Sequence, residues 1–358
     1  MGSVESFAST DRIVRERRLC DGPTGGLWKQ IAWRAANNSL LGGLLTWPLE
    51  RDWVRIEELT MPLASLGWEF DGTRLAHLSD LHAGLLVSES HLRRYVDMAN
   101  SLEVDFVVLT GDFVTTASRR YARAVARALS GLRAAKGVLA CLGNHDYGLW
   151  HPKGYGLREG MADFLCDELA QAGVIVLRNA SRAFFAGKAV LQFLGVEDYW
   201  SAQYDPQAAF DLVDYDAPVI ALSHNPDGAP QLAALGAQWI LSGHTHGNAT
   251  PNTRFWDVVY PTRHKQFVGG RYGLGRGRNL YVNRGIGNKS RPRCDRLPEI
   301  TLFTLRATAR QARAGLVPAS QNGQVRIRVQ PQSSGPSGDK TPLASRARAL
   351  SSLTASLR

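Results

Sequence analysis

The chain carries nine histidines, and His82, His145, His224, His244 and His246 stand in short stretches rich in aspartate, asparagine and glycine. These stretches are Asp80-Leu81-His82, Gly143-Asn144-His145-Asp146, Ser223-His224-Asn225 and Gly243-His244-Thr245-His246, and a fifth, Gly111-Asp112, has the same setting without a histidine. Imidazole, carboxylate and amide oxygen, with no thiolate among them, suit divalent ions such as Mn, Fe or Zn. Asp80, His82, Asp112, Asn144, His224, His244 and His246 are too many donors for one tetrahedral ion and suit two ions bridged by a carboxylate. Such a pair can activate water and clamp both oxygens of an in-line displacement at phosphorus. The alternation in Asp80-x-His82 and His244-x-His246 lets two side chains of one turning segment reach a shared centre.

Each stretch sits where an apolar run opens into a loop, which reads as a buried strand delivering its last residues. Strands are predicted over 54–62, 74–79, 105–110, 137–142, 174–177, 189–196, 218–222, 239–241, 280–283 and 299–305. Helical patterns over 89–102, 118–135, 160–172 and 229–235 fall between them. The alternation predicts an α/β domain whose site lies beyond the carboxyl ends of the strands. Residues 251–278 read as a long irregular insertion rich in Arg, Gly and aromatics.

The net charge is +10, of which +7 falls in residues 307–358, so the body is only mildly basic. A basic tail of Ala, Arg and Ser after a Pro/Ser/Gly linker is expected to be disordered. Nucleic acid is therefore not the expected partner of the core. Cys20, Cys141, Cys166 and Cys294 form no CxxC pair, which argues against a thiolate zinc site and for a reducing, cytoplasmic setting. In residues 27–49, Trp28, Ile31, Ala32 and Ala35 share a helical face, followed by an apolar run too short to span a bilayer. Two readings stay open for it: an interfacial helix at an anionic membrane surface, or a helix packed on the body. The organisation expected is an N-terminal segment (1–53), a catalytic domain (54–306) and the tail (307–358).

As an ordered set, the five stretches resemble the calcineurin-like metallophosphoesterase superfamily. Leu78-Ser79-Asp80-Leu81-His82, Leu241-Ser242-Gly243-His244-Thr245-His246-Gly247, Asn283-Arg284-Gly285-Ile286-Gly287 and Pro298-Glu299-Ile300-Thr301 resemble its bacterial YaeI/YkuE-like phosphodiesterase branch. The resemblance covers about residues 54–305 and implies a four-layer α/β/β/α sandwich with a dinuclear site. It implies one metal on Asp80, His82, Asp112 and His246, with Asp112 bridging to a second on Asn144, His224 and His244. His145 is implied to contact the phosphate and assist the leaving oxygen, oriented by Asp146 or Asp80. Many relatives carry a second acid after the Gly-Asp motif; Gly111-Asp-Phe-Val-Thr-Thr116 has none, which predicts altered support around the metals.

The activity so implied is hydrolysis of a phosphodiester or pyrophosphate by a metal-bridging hydroxide. The substrate would be a phosphorylated small molecule or lipid-linked intermediate, met by a peripheral protein at the inner membrane. Arg263, Arg271, Arg276 and Arg278 are either grips for an anionic head group or solvated loop charges. The alternative is a nuclease or nucleotide phosphodiesterase on the same dinuclear site.

Overall fold

In the computed structural model, side chains are described for residues 54–247, 263–287 and 297–308, and the backbone also for Arg17–Arg18. The expected segment 27–49, the tail of 307–358 beyond residue 308, and residues 251–262 of the insertion lie outside the described residues.

The chain builds two sheets. The first contains β1 (Arg17–Arg18), β2 (Arg55–Ala64), β3 (Arg74–Leu78), β4 (Phe106–Thr110), β5 (Gly137–Cys141), β6 (Val174–Val176) and, returning from the far end of the chain, β13 (Glu299–Thr308). The second contains β7 (Ala180–Ala186), β8 (Ala189–Gly195), β9 (Val219–Leu222), β10 (Trp239–Ser242), β11 (Gly270–Gly273) and β12 (Asn279–Val282). Their orders are β1-β2-β13-β3-β4-β5-β6 and β11-β12-β10-β9-β8-β7. Helices α1 (Glu89–Asn100), α2 (Arg119–Leu129) and α3 (Met161–Gln171) follow β3, β4 and β5; the short α4 (Pro206–Phe210) precedes β9, and α5 (Ala229–Leu235) joins β9 to β10.

The central strands are apolar on both faces because both faces are covered. In β4, Val107 and Leu109 pack against α1 to α3, while Phe106 and Val108 point into the core between the sheets. In β9, Ile220 and Leu222 share that inter-sheet core, and Val219 and Ala221 pack with Phe210 and Leu232 of α4 and α5. Three apolar layers therefore separate four structural ones, giving the expected α/β/β/α sandwich. Phe106, Phe193, Trp239, Tyr281 and Phe303 fill the middle, each almost wholly buried.

Every strand expected from the apolar runs is present. Three were not expected, the two-residue β1 paired with β2 among them. Residues 180–186 form β7, hairpinned to β8, with a mixed sequence (ASRAFFA) and half-exposed faces that mute the alternation. The insertion is also not irregular throughout, since Gly270–Gly273 forms β11, antiparallel to β12 at the sheet edge. Its composition, glycine at both ends, hid it. Strand β13 runs past its expected end to Thr308, paired in parallel with β2. Among the described residues no helix is long and apolar enough to cross a membrane.

Candidate metal centre

The carboxyl ends of β3, β4 and β5 in one sheet, and of β9 and β10 in the other, open at the same edge of the sandwich, and their loops are stitched together by main-chain hydrogen bonds. The Asp80 N–H donates to the Gly111 carbonyl (3.0 Å), His82 N–H to the Asp112 carbonyl (2.9 Å) and Gly243 N–H to the His224 carbonyl (2.9 Å). Asp80, His82, Asp112, His244 and His246 all have left-handed backbone, with φ between 49° and 73°. They are five of the nine such non-glycine residues among the described residues. This conformation costs on the order of 1 kcal/mol or more per residue and persists where the surroundings dictate it, typically at functional sites. Glycine is needed where the loops meet: a Cβ on Gly243 would fall 2.2 Å from an Asp80 carboxylate oxygen, and one on Gly143 2.4 Å from an Asp112 oxygen.

Each carboxylate divides its two oxygens. Asp80 Oδ2 accepts the His244 N–H (3.1 Å), and Asp112 Oδ1 accepts the His145 N–H (2.9 Å). The other oxygens face imidazoles. Asp80 Oδ1 lies 3.3 Å from His246 Nε2 and 3.7 Å from His82 Nε2. Asp112 Oδ2 lies 3.4 Å from His224 Nε2, 3.5 Å from His82 Nε2 and 4.0 Å from His145 Nε2. Asn144 Nδ2 donates to the Leu149 carbonyl (2.7 Å), which turns Oδ1 toward His244 Nδ1 at 3.1 Å. His224 Nδ1 meets the Thr110 carbonyl oxygen at 2.7 Å and must donate there, so Nε2 is the ring nitrogen that faces Asp112; burial opposes a charged ring, but the Asp112 carboxylate outweighs it and raises the ring's pKa well above the usual range.

The donor set fits divalent cations. Asp80 Oδ1 and His224 Nε2 are buried without a hydrogen-bond partner, a cost that a cation would relieve. Two groupings close to coordination size emerge, Asp80–His82–His246 and Asp80–Asp112–His224, with donor atoms all within 4.8 Å. Burial opposes ionisation of Asp80, but His246 and His82 outweigh it and hold the carboxyl below the usual range. Burial likewise opposes ionisation of Asp112, and His224 and His145 hold it well below that range. His244 is pushed down to about 3 by burial and the neighbouring His224. The result is anionic oxygens facing imidazole nitrogens, the pattern that binds borderline divalent ions.

All seven donors expected from the sequence, and His145, thus meet at one place. Asp146 stands elsewhere. Its Oδ1 accepts the N–H groups of Phe113 (2.8 Å) and Val114 (3.2 Å), and its Oδ2 that of Gly143 (2.8 Å). It ties the loops after β4 and β5 together and does not orient His145, a correction to the role implied by resemblance. Nor is Asp80 seen on that ring: His145 Nδ1 meets the Thr115 carbonyl oxygen at 2.9 Å. A carbonyl only accepts, so Nδ1 carries the proton and Nε2 faces the centre. Thr115 Oγ1 also donates to the His82 carbonyl (2.8 Å), so threonine supports the loop that lacks the second acid.

The structure adds residues that sequence reading missed. Glu197 and Asp198 follow β8 just as the donors follow their strands, and the same rule applied to residues 189–196 would have found them. Glu197 accepts from Arg178 Nε (2.7 Å) and the buried Tyr147 hydroxyl. Asp198 is buried, its Oδ1 accepting the Trp200 N–H (2.9 Å); burial pushes its carboxyl up to about 7. The Trp200 indole packs edge-on against His244, ring centroids 4.9 Å apart. Behind Asp80, the Ile286 N–H donates to the Ser79 carbonyl (3.0 Å) and the Gly287 N–H to the Asp80 carbonyl (2.8 Å). Asn283 in turn binds Thr301 Oγ1 (2.9 Å) and the Gly285 N–H (2.8 Å), and Arg284 pairs with buried Glu299. The Asn283–Gly287 and Pro298–Thr301 motifs therefore buttress the strained Asp80 turn.

A two-sheet sandwich with such a centre at its edge defines a phosphate-ester hydrolase of the metallophosphoesterase class. Residues 73–248 match the calcineurin-like phosphoesterases, and the chain belongs to that family. It is 28% identical over 309 residues to UDP-2,3-diacylglucosamine pyrophosphatase LpxG of Chlamydia trachomatis, covering 74% of this chain and 94% of that protein. It is 28% identical to the metallophosphoesterase YkuE of Bacillus subtilis (73% of this chain, 88% of that one). To phosphodiesterase YaeI of Escherichia coli it is 27% identical (65% and 82%).

Proposed function

We propose that the chain hydrolyses a phosphodiester or pyrophosphate bond in a lipid-linked or nucleotide-lipid substrate at the membrane surface. The observation that carries this reading is the convergence of carboxylate, amide and imidazole donors from both sheets on one edge, beside the 29%-exposed His145. Asp80, His82, Asp112 and His246 would hold one cation, and Asp112, Asn144, His224 and His244 a second. Asp112 Oδ2 faces imidazoles from both sets, which supports its place as the bridge. Divalent cations bound there supply Lewis acidity at phosphorus and lower the pKa of a bound water.

The protein's own residues do the rest. His145 Nε2 faces the centre while the Thr115 carbonyl fixes the ring through Nδ1, so a protonated imidazole is placed to donate to the leaving oxygen. Trp200 and the Leu149 carbonyl hold His244 and Asn144 in place. LpxG, whose name states a UDP-2,3-diacylglucosamine pyrophosphatase, aligns over most of both chains and favours a pyrophosphate joined to a diacylated sugar.

The test compares the metal-reloaded protein on bis-p-nitrophenyl phosphate and on a UDP-linked diacylated sugar. Faster turnover of the lipid-linked pyrophosphate is expected. Cleavage of the aryl diester alone would reject the lipid assignment, and cleavage of neither would reject the hydrolytic reading.

A further inference from the structure

The large exposed apolar side chains divide between the two ends of the sandwich. Trp68 and Phe185 lie near the start of β8, where a Cβ on Gly67 would touch Ala189 and Phe185 pairs with Val190; Leu212 and Tyr215 precede β9. That end is opposite the centre. At the centre's own end stand Leu85 (91% exposed), Leu86 (49%), Trp150 (67%), Tyr155 (56%) and Leu157 (54%).

These five belong to the loops that follow His82 and His145, and the two loops start side by side. The His82 and His145 rings are 5.2 Å apart, Ala83 bridges to Val114, and Thr115 hydrogen-bonds to both loops. The longer loop is built to hold its indole outward. The Trp150 N–H donates to the Tyr155 carbonyl (3.2 Å) and the Arg158 N–H to the Tyr147 carbonyl (2.9 Å). The Trp150 ring lies on Gly156, where a Cβ would fall 2.2 Å from the indole, and the Gly156 φ of +89° itself favours glycine. An ordered loop that presents tryptophan, tyrosine and leucine to water calls for a partner, because such patches on monomers mark binding surfaces.

We propose that residues 83–88 and 148–160 form a lip that docks on an anionic bilayer, setting the centre over head-group phosphates. Tryptophan and tyrosine interleaved with Lys153 and Arg158, against Glu159, match the aromatic and cationic composition of interfacial segments. A second copy of the chain fits less well, since a twofold contact would bring the net positive charge of this lip, Lys153 and Arg158 against one Glu159, up to its own copy. The inference rests on the phosphohydrolase reading only for what the lip delivers to the site. It is independent of residues 27–49, the segment that sequence alone suggested for membrane contact.

Hydrogen exchange on the full chain tests it, with and without phosphatidylglycerol/phosphatidylcholine vesicles. Peptides spanning 83–88 and 147–160 should exchange about tenfold more slowly on anionic vesicles. A variant carrying Leu85→Ser, Leu86→Ser, Trp150→Ser and Leu157→Ser, checked for folding by circular dichroism, should lose that protection. Unchanged exchange in these peptides on vesicles would overturn the proposal. So would protection that appears without vesicles as protein concentration and mass rise together. Aryl diester hydrolysis, assayed on the same samples, reports separately on the functional reading, because its absence would leave the exchange result standing.

Discussion

The two sheets contribute unequally to the centre. The first supplies the oxygen donors Asp80, Asp112 and Asn144 with His82 and His145, whereas the second supplies the imidazoles of His224, His244 and His246. Neither set is a complete site: the orphaned oxygen of Asp80 and the orphaned nitrogen of His224 come from opposite sheets. The centre therefore exists only while the inter-sheet core of Phe106, Phe193, Trp239 and Phe303 is intact. The loops differ too. Those of the first sheet carry the large exposed apolar side chains, while in the described part of the second sheet's loops Asp227 accepts the N–H groups of Arg263 and His264 (both 2.8 Å). Chemistry is shared across the sandwich, whereas among the described residues the large exposed apolar side chains at the centre's end belong to the first sheet.

Breaking either side at its donors should have the largest effect. Asp112→Asn should lower turnover by more than the roughly hundredfold that outer partners of metal ligands cost, with cation content falling at both positions. His244→Ala should be as damaging to turnover but leave about one ion per chain, as measured by elemental analysis. Equal loss of cations in both variants would erase the distinction between bridge and terminal donor. Next in size is the joint between the sheets. Phe193→Ala removes a wholly buried ring and should cost about 3–5 kcal/mol in chemical denaturation, with activity lost at a lower temperature.

The smallest expected effect is in acid. Burial pushes buried His77 down to about 3 from an ordinary 6.5. Between those values the unfolded chain binds the proton and the native one does not. The contribution is therefore complete above pH 6.5 and declines as pH falls toward 3. A His77→Asn protein should show a flatter loss of stability across that window, followed by denaturation at a series of pH values; an unchanged slope would remove His77 from the account.

The sandwich was legible because its central strands are short, wholly apolar and punctuated by glycine and charged groups, as in Phe106–Thr110 followed by Gly111-Asp112. The donors were legible for the same reason, each standing just past such a run. Strand β11 was not, because its glycines and edge position erase the pattern. Asp146 was misread because adjacency to His145 in sequence says nothing of side-chain direction, and the tight turn after Gly143 aims its carboxylate at three main-chain N–H groups. Glu197 and Asp198 were legible in principle. They lack a neighbouring histidine, the residue that drew attention to most of the other strand ends. The apolar lip could not be read as such, since Leu85 and Trp150 are indistinguishable in sequence from core residues until the loops are placed.

The most direct test of a centre assembled from both sheets is cation stoichiometry measured together with hydrolysis of bis-p-nitrophenyl phosphate. The protein would be stripped with chelator and reloaded with Mn, Fe or Zn, and Asn144→Ala carried in parallel. About two ions per chain, with hydrolysis returning as they bind and absent from Asn144→Ala, is the result this arrangement predicts. Full hydrolysis by the stripped protein, or no cation retained on reloading, would contradict it.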